Sequence, residues 1–169
     1  SRKFLRLEGS SIWPRGSRGP GSETSQSIRD LESEMSYYIA TTLNVPFDEA
    51  IERVEAALKE QGFGVISRID IQEALKTKIG VDFRPYVILG ACNPTLAYEA
   101  LKLEDKVGTM LPCNVVVQAR GDRETEIAAI DPVASMQAID NAELQQAAHE
   151  VRGRLEQVVQ NLQVAHEPA

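Results

Sequence analysis

The sequence predicts an α+β domain, a single mostly antiparallel sheet of about five strands with helices packed on it. Three observations carry this. Tyr37, Ile39, Thr41 and Leu43 alternate with other residues, as do Val65, Ser67 and Ile69, which is the period of half-buried strands. Tyr86-Val87-Ile88-Leu89 and Val115-Val116-Val117 are short apolar, β-branched runs bounded by Pro and Gly, as buried strands are. Stretches of helical period lie between these runs, giving the order β-α-β-α-β-α-β-β-α. A repeated parallel crossover plan would need more regular alternation and longer buried strands.

The elements follow in order. After the first strand, Pro46 opens a helix whose Phe47, Ile51, Val54 and Leu58 share one face, with Asp48 and Glu49 in its first turn and Gly62 at its end. The second strand leads to Asp70, which with Glu73 forms a capping arrangement for a short helix reaching Ile79 and stopping at Gly80. The connector Val81-Asp82-Phe83-Arg84-Pro85 reads as a surface turn with a local ion pair, worth little energetically. A ligand-binding Arg84 is the lesser alternative.

After the third strand, Asn93 is a good N-cap, Pro94 fits the first helical position, and Leu96, Ala97, Ala100 and Leu101 form one apolar face of a helix ending near Gly108. The fourth strand turns at Arg120-Gly121-Asp122-Arg123 into a fifth, Thr125 to Ile130, which closes at Asp131-Pro132. The last helix runs from Ala142 to about Gln163. Its Leu144, Ala148, Val151, Leu155, Val158 and Leu162 are spaced four, three, four, three, four, a narrow heptad seam.

With 169 residues and 43% hydrophobic content, the chain suffices for one domain with a substantial core. Residues 1–34 differ in composition: Gly, Ser, Pro and Arg dominate from Gly9 to Ser22 without an apolar period. A leader added for expression is the first reading of this segment, ahead of a targeting peptide and a native flexible arm. Met35-Ser36-Tyr37 resembles a natural start. The domain is expected over 35–165, with 166–169 as a tail.

The formal charge is −7, and the segment 1–34 holds six of the basic and five of the acidic side chains, so the remainder is more acidic still. An acidic body is a poor match for a phosphate backbone, which argues against nucleic-acid binding. No run approaches the roughly 20 apolar residues that cross a bilayer, so no membrane span is expected. Two cysteines make no disulfide framework, and reduced thiols in a cytoplasmic setting are the default.

Both cysteines sit in matching settings. Ile88-Leu89-Gly90-Ala91-Cys92-Asn93-Pro94, followed by Leu111-Pro112-Cys113-Asn114-Val115-Val116-Val117, resembles the signature of the domain-of-unknown-function 302 family. The resemblance covers about Met35 to Asp131. It implies a small α/β domain, mostly prokaryotic and dimeric, and it implies no activity.

The candidate site is therefore Cys92, Asn93, Cys113 and Asn114, taking a small-molecule ligand or a partner. Cys92 ends the third strand just before a helix N-terminus, where backbone N–H groups and the dipole favour a thiolate. Antiparallel pairing of strands three and four brings the cysteines together; a parallel crossover would put them on the order of 15 Å apart. The plainer alternative is that the cysteines are small core residues and the asparagines only cap or turn the chain.

No metal site is expected, because two thiols do not close a zinc site and His149 and His166 lie far along the chain. The absence of a Gly-rich phosphate loop and of paired carboxylates argues against a hydrolase. Glu124, Glu126 and Asp131 read as a solvated strand edge. Two function classes stay open, a non-catalytic homodimeric binding module and a thiol-redox protein using Cys92 and Cys113. The dimer is expected because the last helix carries both a sheet to cover and a seam to offer.

Overall fold

The structure is a computed structural model and describes residues 36–165. The expectations for residues 1–34, for the tail 166–169 and for His166 lie outside the described residues. Five strands, β1 (Tyr38–Leu43), β2 (Gly64–Asp70), β3 (Tyr86–Cys92), β4 (Cys113–Gly121) and β5 (Glu124–Ile130), form one sheet in the order β1-β5-β4-β3-β2. Every neighbouring pair is antiparallel, as the alternating and β-branched runs predict. Since β1 and β2 lie at opposite edges, the helix between them must cross the whole sheet.

That crossing helix is α1 (Phe47–Glu60), which buries Ala50, Ile51, Val54, Ala57 and Leu58. Its apolar residues recur at helical spacing, so one side of it can meet the sheet. Gly62, at φ +82°, takes the left-handed turn that ends it, a conformation a side chain would strain. The short helix α2 (Ile71–Ile79) is capped by Asp70, whose side chain accepts from Glu73 N–H at 2.9 Å, and ends on left-handed Gly80. It buries none of its residues.

Helix α3 (Pro94–Leu103) is followed by a 3₁₀ turn, Val107–Met110, so the helical stretch breaks before Gly108. A short helix not anticipated from the sequence, α4 (Pro132–Ser135), follows β5, and α5 (Ala142–Val164) closes the fold. The seam of α5 is spent inside the chain. Leu155, Val158 and Leu162 are buried in the core on the sheet with Val151 packed against it, and Leu144 and Ala148 are buried in a second cluster. The argument for a dimer through that seam therefore falls, because the helix covers its own sheet.

One face of the sheet holds the core. Leu43, Val87, Leu89, Ala91, Cys113, Val115, Val117, Ile127 and Ala129 point from it into α1 and α5. A second, smaller cluster gathers Ala100, Val107, Met136, Leu144 and Ala148 between α3, α4 and α5. At about 25 cal/mol per Å² of apolar surface removed from water, burial of such side chains is the main favourable term.

The opposite face carries Tyr86, Ile88, Asn114, Val116, Gln118, Glu126, Ala128 and Ile130, and most of these remain partly exposed. Here the β2 expectation needs correcting. A register shift between Val65 and Ser67 puts Val65 opposite Ala91, toward the core, and Ile69 opposite Ile88, where it is 49% exposed. An extra residue in a strand reverses which side chains face inward beyond it.

The connector also differs from the expected local pair. Asp82 bonds Lys76 at 2.7 Å, while the Arg84 guanidinium lies 4.4 Å from the Phe83 ring centroid and donates to Gln118 Oε1 at 2.9 Å.

Candidate functional site

Cys92 ends β3 and Cys113 begins β4. Ala91 pairs directly with Cys113, so Cys92 is one residue along from the cross-strand partner of Cys113. From the spacing of an antiparallel pair and the rise along a strand, the two Cα atoms are about 6 Å apart. Both thiols are free; Cys92 is half-buried and Cys113 is 6% exposed. Burial, reinforced by the neighbouring Cys92, pushes the Cys113 thiol up to about 11.

Asn93 does what its position predicts. Its Oδ1 accepts from Leu96 N–H at 3.2 Å, capping α3, with Pro94 in the first turn. Its amide nitrogen would come within 3.1 Å of a Cβ on Gly62, so a side chain at residue 62 would have to push the Asn93 amide aside by a few tenths of an ångström. Arg154 from α5 closes this corner by donating to Gln61 O at 3.3 Å and pairing with Glu150.

Gly90 and Pro112 bring the two halves of the motif together. A Cβ on Gly90 would lie 2.1 Å from Ser67 Oγ and 2.7 Å from Pro112 Cγ. The glycine is therefore a space requirement, letting the proline before Cys113 lie against β3.

The cysteines open on one cavity, about 40 Å³, where the two core clusters meet. Leu96, Ala97 and Ala100 of α3 form one wall, and Ala147, Ala148 and Val151 of α5 another. Met136, from the loop after α4, belongs to the same lining. Of the side chains lining it, Asn93 supplies the one amide, and no carboxylate, imidazole or ammonium is among them. Leu101, expected on the apolar face of α3, is 45% exposed and takes no part.

The four candidate residues thus divide. Cys92, Asn93 and Cys113 line one cavity, whereas Asn114 is exposed on the opposite face of the sheet, as the period of two after a buried Cys113 requires. There it borders a shallow concavity with Tyr37, Tyr38, Tyr86, Gln118, Arg120 and Glu126. Gln118, 8% exposed, donates to Glu126 Oε1 at 2.7 Å, and Arg120 reaches the same oxygen at 3.2 Å. Glu126 is consequently a bonded member of a network and not a free edge charge.

Asp131 also differs from the solvated edge charge expected of it. It is buried, caps α4 through Val133 N–H at 2.9 Å, and lies 3.5 Å from Arg152 Nε. Asp131-Pro132 repeats the Asn93-Pro94 signature of N-cap and first helical residue, and that signal would have located α4.

Comparison with known proteins agrees with this architecture. The model of the domain of unknown function DUF302 matches residues 39–162. The crystal structure of an uncharacterized conserved DUF302 protein from Bacillus stearothermophilus is similar, with a TM-score of 0.69 and 31% identity over 75% of this chain and 98% of that one. No curated protein matches the chain. A motif whose glycine, proline and asparagine each have a packing role here, within a match spanning most of the chain, leads to one conclusion: the protein belongs to the DUF302 family.

Proposed function

We propose that the protein is a non-catalytic binding module that takes a small ligand at the cavity beside Cys92, Asn93 and Cys113. The observation supporting this is the cavity itself: an apolar space at the junction of two packed clusters, entered beside a half-buried thiol and the N-terminus of α3. Binding sites are concave and mostly apolar, with a few placed polar groups. Thermal-shift and methyl NMR measurements with a panel of small apolar molecules test it. Binding that disappears in Ala97→Leu, which fills one wall, supports the reading; no response in the parent chain rejects it.

The rival is thiol–disulfide exchange between the two cysteines, favoured by their estimated Cα separation. Against it stands the buried Cys113, whose raised pKa leaves little thiolate to react. Free-thiol titration separates the two readings, since a redox pair loses both thiols together on oxidation and regains them with a dithiol.

Assembly as a homodimer belongs to the same proposal, now through the uncovered sheet face. Ile69, Ile88, Val116, Ala128 and Ile130 offer apolar surface there, and Arg120 and Glu126 place both charge signs beside it. A two-fold partner presents the same patch, so opposite charges can meet across the axis. Light scattering at twice 18.6 kDa supports this, and a mass near 18.6 kDa at micromolar concentration rejects it.

A further inference from the structure

We propose that Cys92 and Cys113 together bind one soft monovalent metal ion, Cu(I) by chemical class, as a two-coordinate dithiolate with the Met136 thioether as an auxiliary sulfur. This rests on the cavity being the binding site and names its ligand. Three sulfur-bearing residues from separate parts of the chain line a single small cavity, and Cys92 lies one residue along β3 from the cross-strand partner of Cys113. The 40 Å³ available exceeds the roughly 10–15 Å³ that a single water needs, so an ion fits without opening the core.

The donor set selects the metal. Thiolate and thioether are soft ligands that favour Cu(I), whereas calcium and magnesium require oxygen donors. Zinc requires four ligands, and no carboxylate or imidazole is among the residues lining the cavity. Two-coordinate binding needs only the two cysteines.

On binding, two S–H bonds break and two Cu–S bonds form. Both protons leave to solvent and the copper stays Cu(I), so no oxidant or reductant enters. The product carries one net negative charge, next to the positive end of α3 at Asn93. Because thiols must lose protons, retention of the metal weakens as pH falls.

The test titrates the full chain, without oxygen, with Cu(I) supplied as its acetonitrile complex against bicinchoninate as competitor. One equivalent is expected to be retained, with near-ultraviolet sulfur-to-copper absorption and two protons released per ion. Cys92→Ser, at the half-buried position, should lower retention on the order of 100-fold, and Met136→Leu by less. If Cys113→Ala fails to fold, alkylation of the loaded parent chain decides: copper must protect Cys92 from N-ethylmaleimide.

Retention unchanged in Cys92→Ser, or bound copper with Cys92 still alkylated at the free rate, overturns the proposal. So does a parent chain that yields its copper to the competitor as readily as Cys92→Ser does. If copper fails while apolar molecules still bind in an Ala97-dependent way, the cavity remains a binding site and only its ligand is wrong. Failure of both removes the site.

Discussion

Cys113 should make the domain lose stability in alkali, by an amount that its surroundings set. Its thiol is raised from 9.0 to about 11 in the folded chain, chiefly because burial penalises the thiolate and secondarily because Cys92 is near. The folded state therefore holds this proton more tightly than the unfolded chain does. The resulting stabilisation is complete below pH 9 and drains away as pH rises toward 11, because there the unfolded chain has already lost the proton. Two pH units correspond to roughly 3 kcal/mol at the upper end of that window.

Urea unfolding at pH 8, 9, 10 and 11, on the parent chain and on Cys113→Ala, isolates the effect, since tyrosine and lysine titrations are common to both. The parent should lose about 2–3 kcal/mol more than the variant between pH 8 and 11. Alkylation of Cys113 at neutral pH should likewise run about 100-fold slower in the folded chain than in urea, following the thiolate fraction. Parallel stability curves would refute the reasoning and mean that water reaches Cys113.

Gly90→Ala should cost about 1–3 kcal/mol by denaturant unfolding: Ser67 Oγ can rotate away but the Pro112 ring cannot, so an unchanged midpoint would show that β3 and the proline separate easily. Asn93→Ala removes the α3 cap and should lower stability by about 1 kcal/mol, with faster amide exchange at Leu96 as the local readout. Leu155→Ala, at a fully buried seam position, should cost about 2–5 kcal/mol without changing the oligomer mass; a fall in mass would mean that the seam still serves a partner.

Local chemistry was legible wherever neighbours in sequence settle it. Asn93 before Pro94 and Asp70 before Glu73 are caps because an Asx oxygen reaches the N–H groups two or three residues on, whatever the rest of the fold does. The antiparallel partnership of β3 and β4 was expected because antiparallel pairing is the commoner arrangement, but a helix between two apolar runs suits a parallel crossover as well, so the fold had to decide it. Asn114 was misgrouped although the same period-of-two rule that buries Cys113 turns its neighbour outward. Val65, Ser67 and Ile69 looked like one face because an extra residue in the register leaves no trace in alternation.

The sequence by itself determined the α+β class, the caps and the family signature, since each depends on residues within a few positions or on strands of plain apolar character. Tertiary structure alone decided which surface stays open and what surrounds the thiols. The heptad spacing of α5 is the same whether a partner or its own sheet fills it, and only the path of the chain brings that sheet beneath the helix. Met136 reaches the cysteine cavity for the same reason. Its approach depends on where α4 and α5 pack, and burial of apolar surface has no direction that a residue can announce to partners far along the chain.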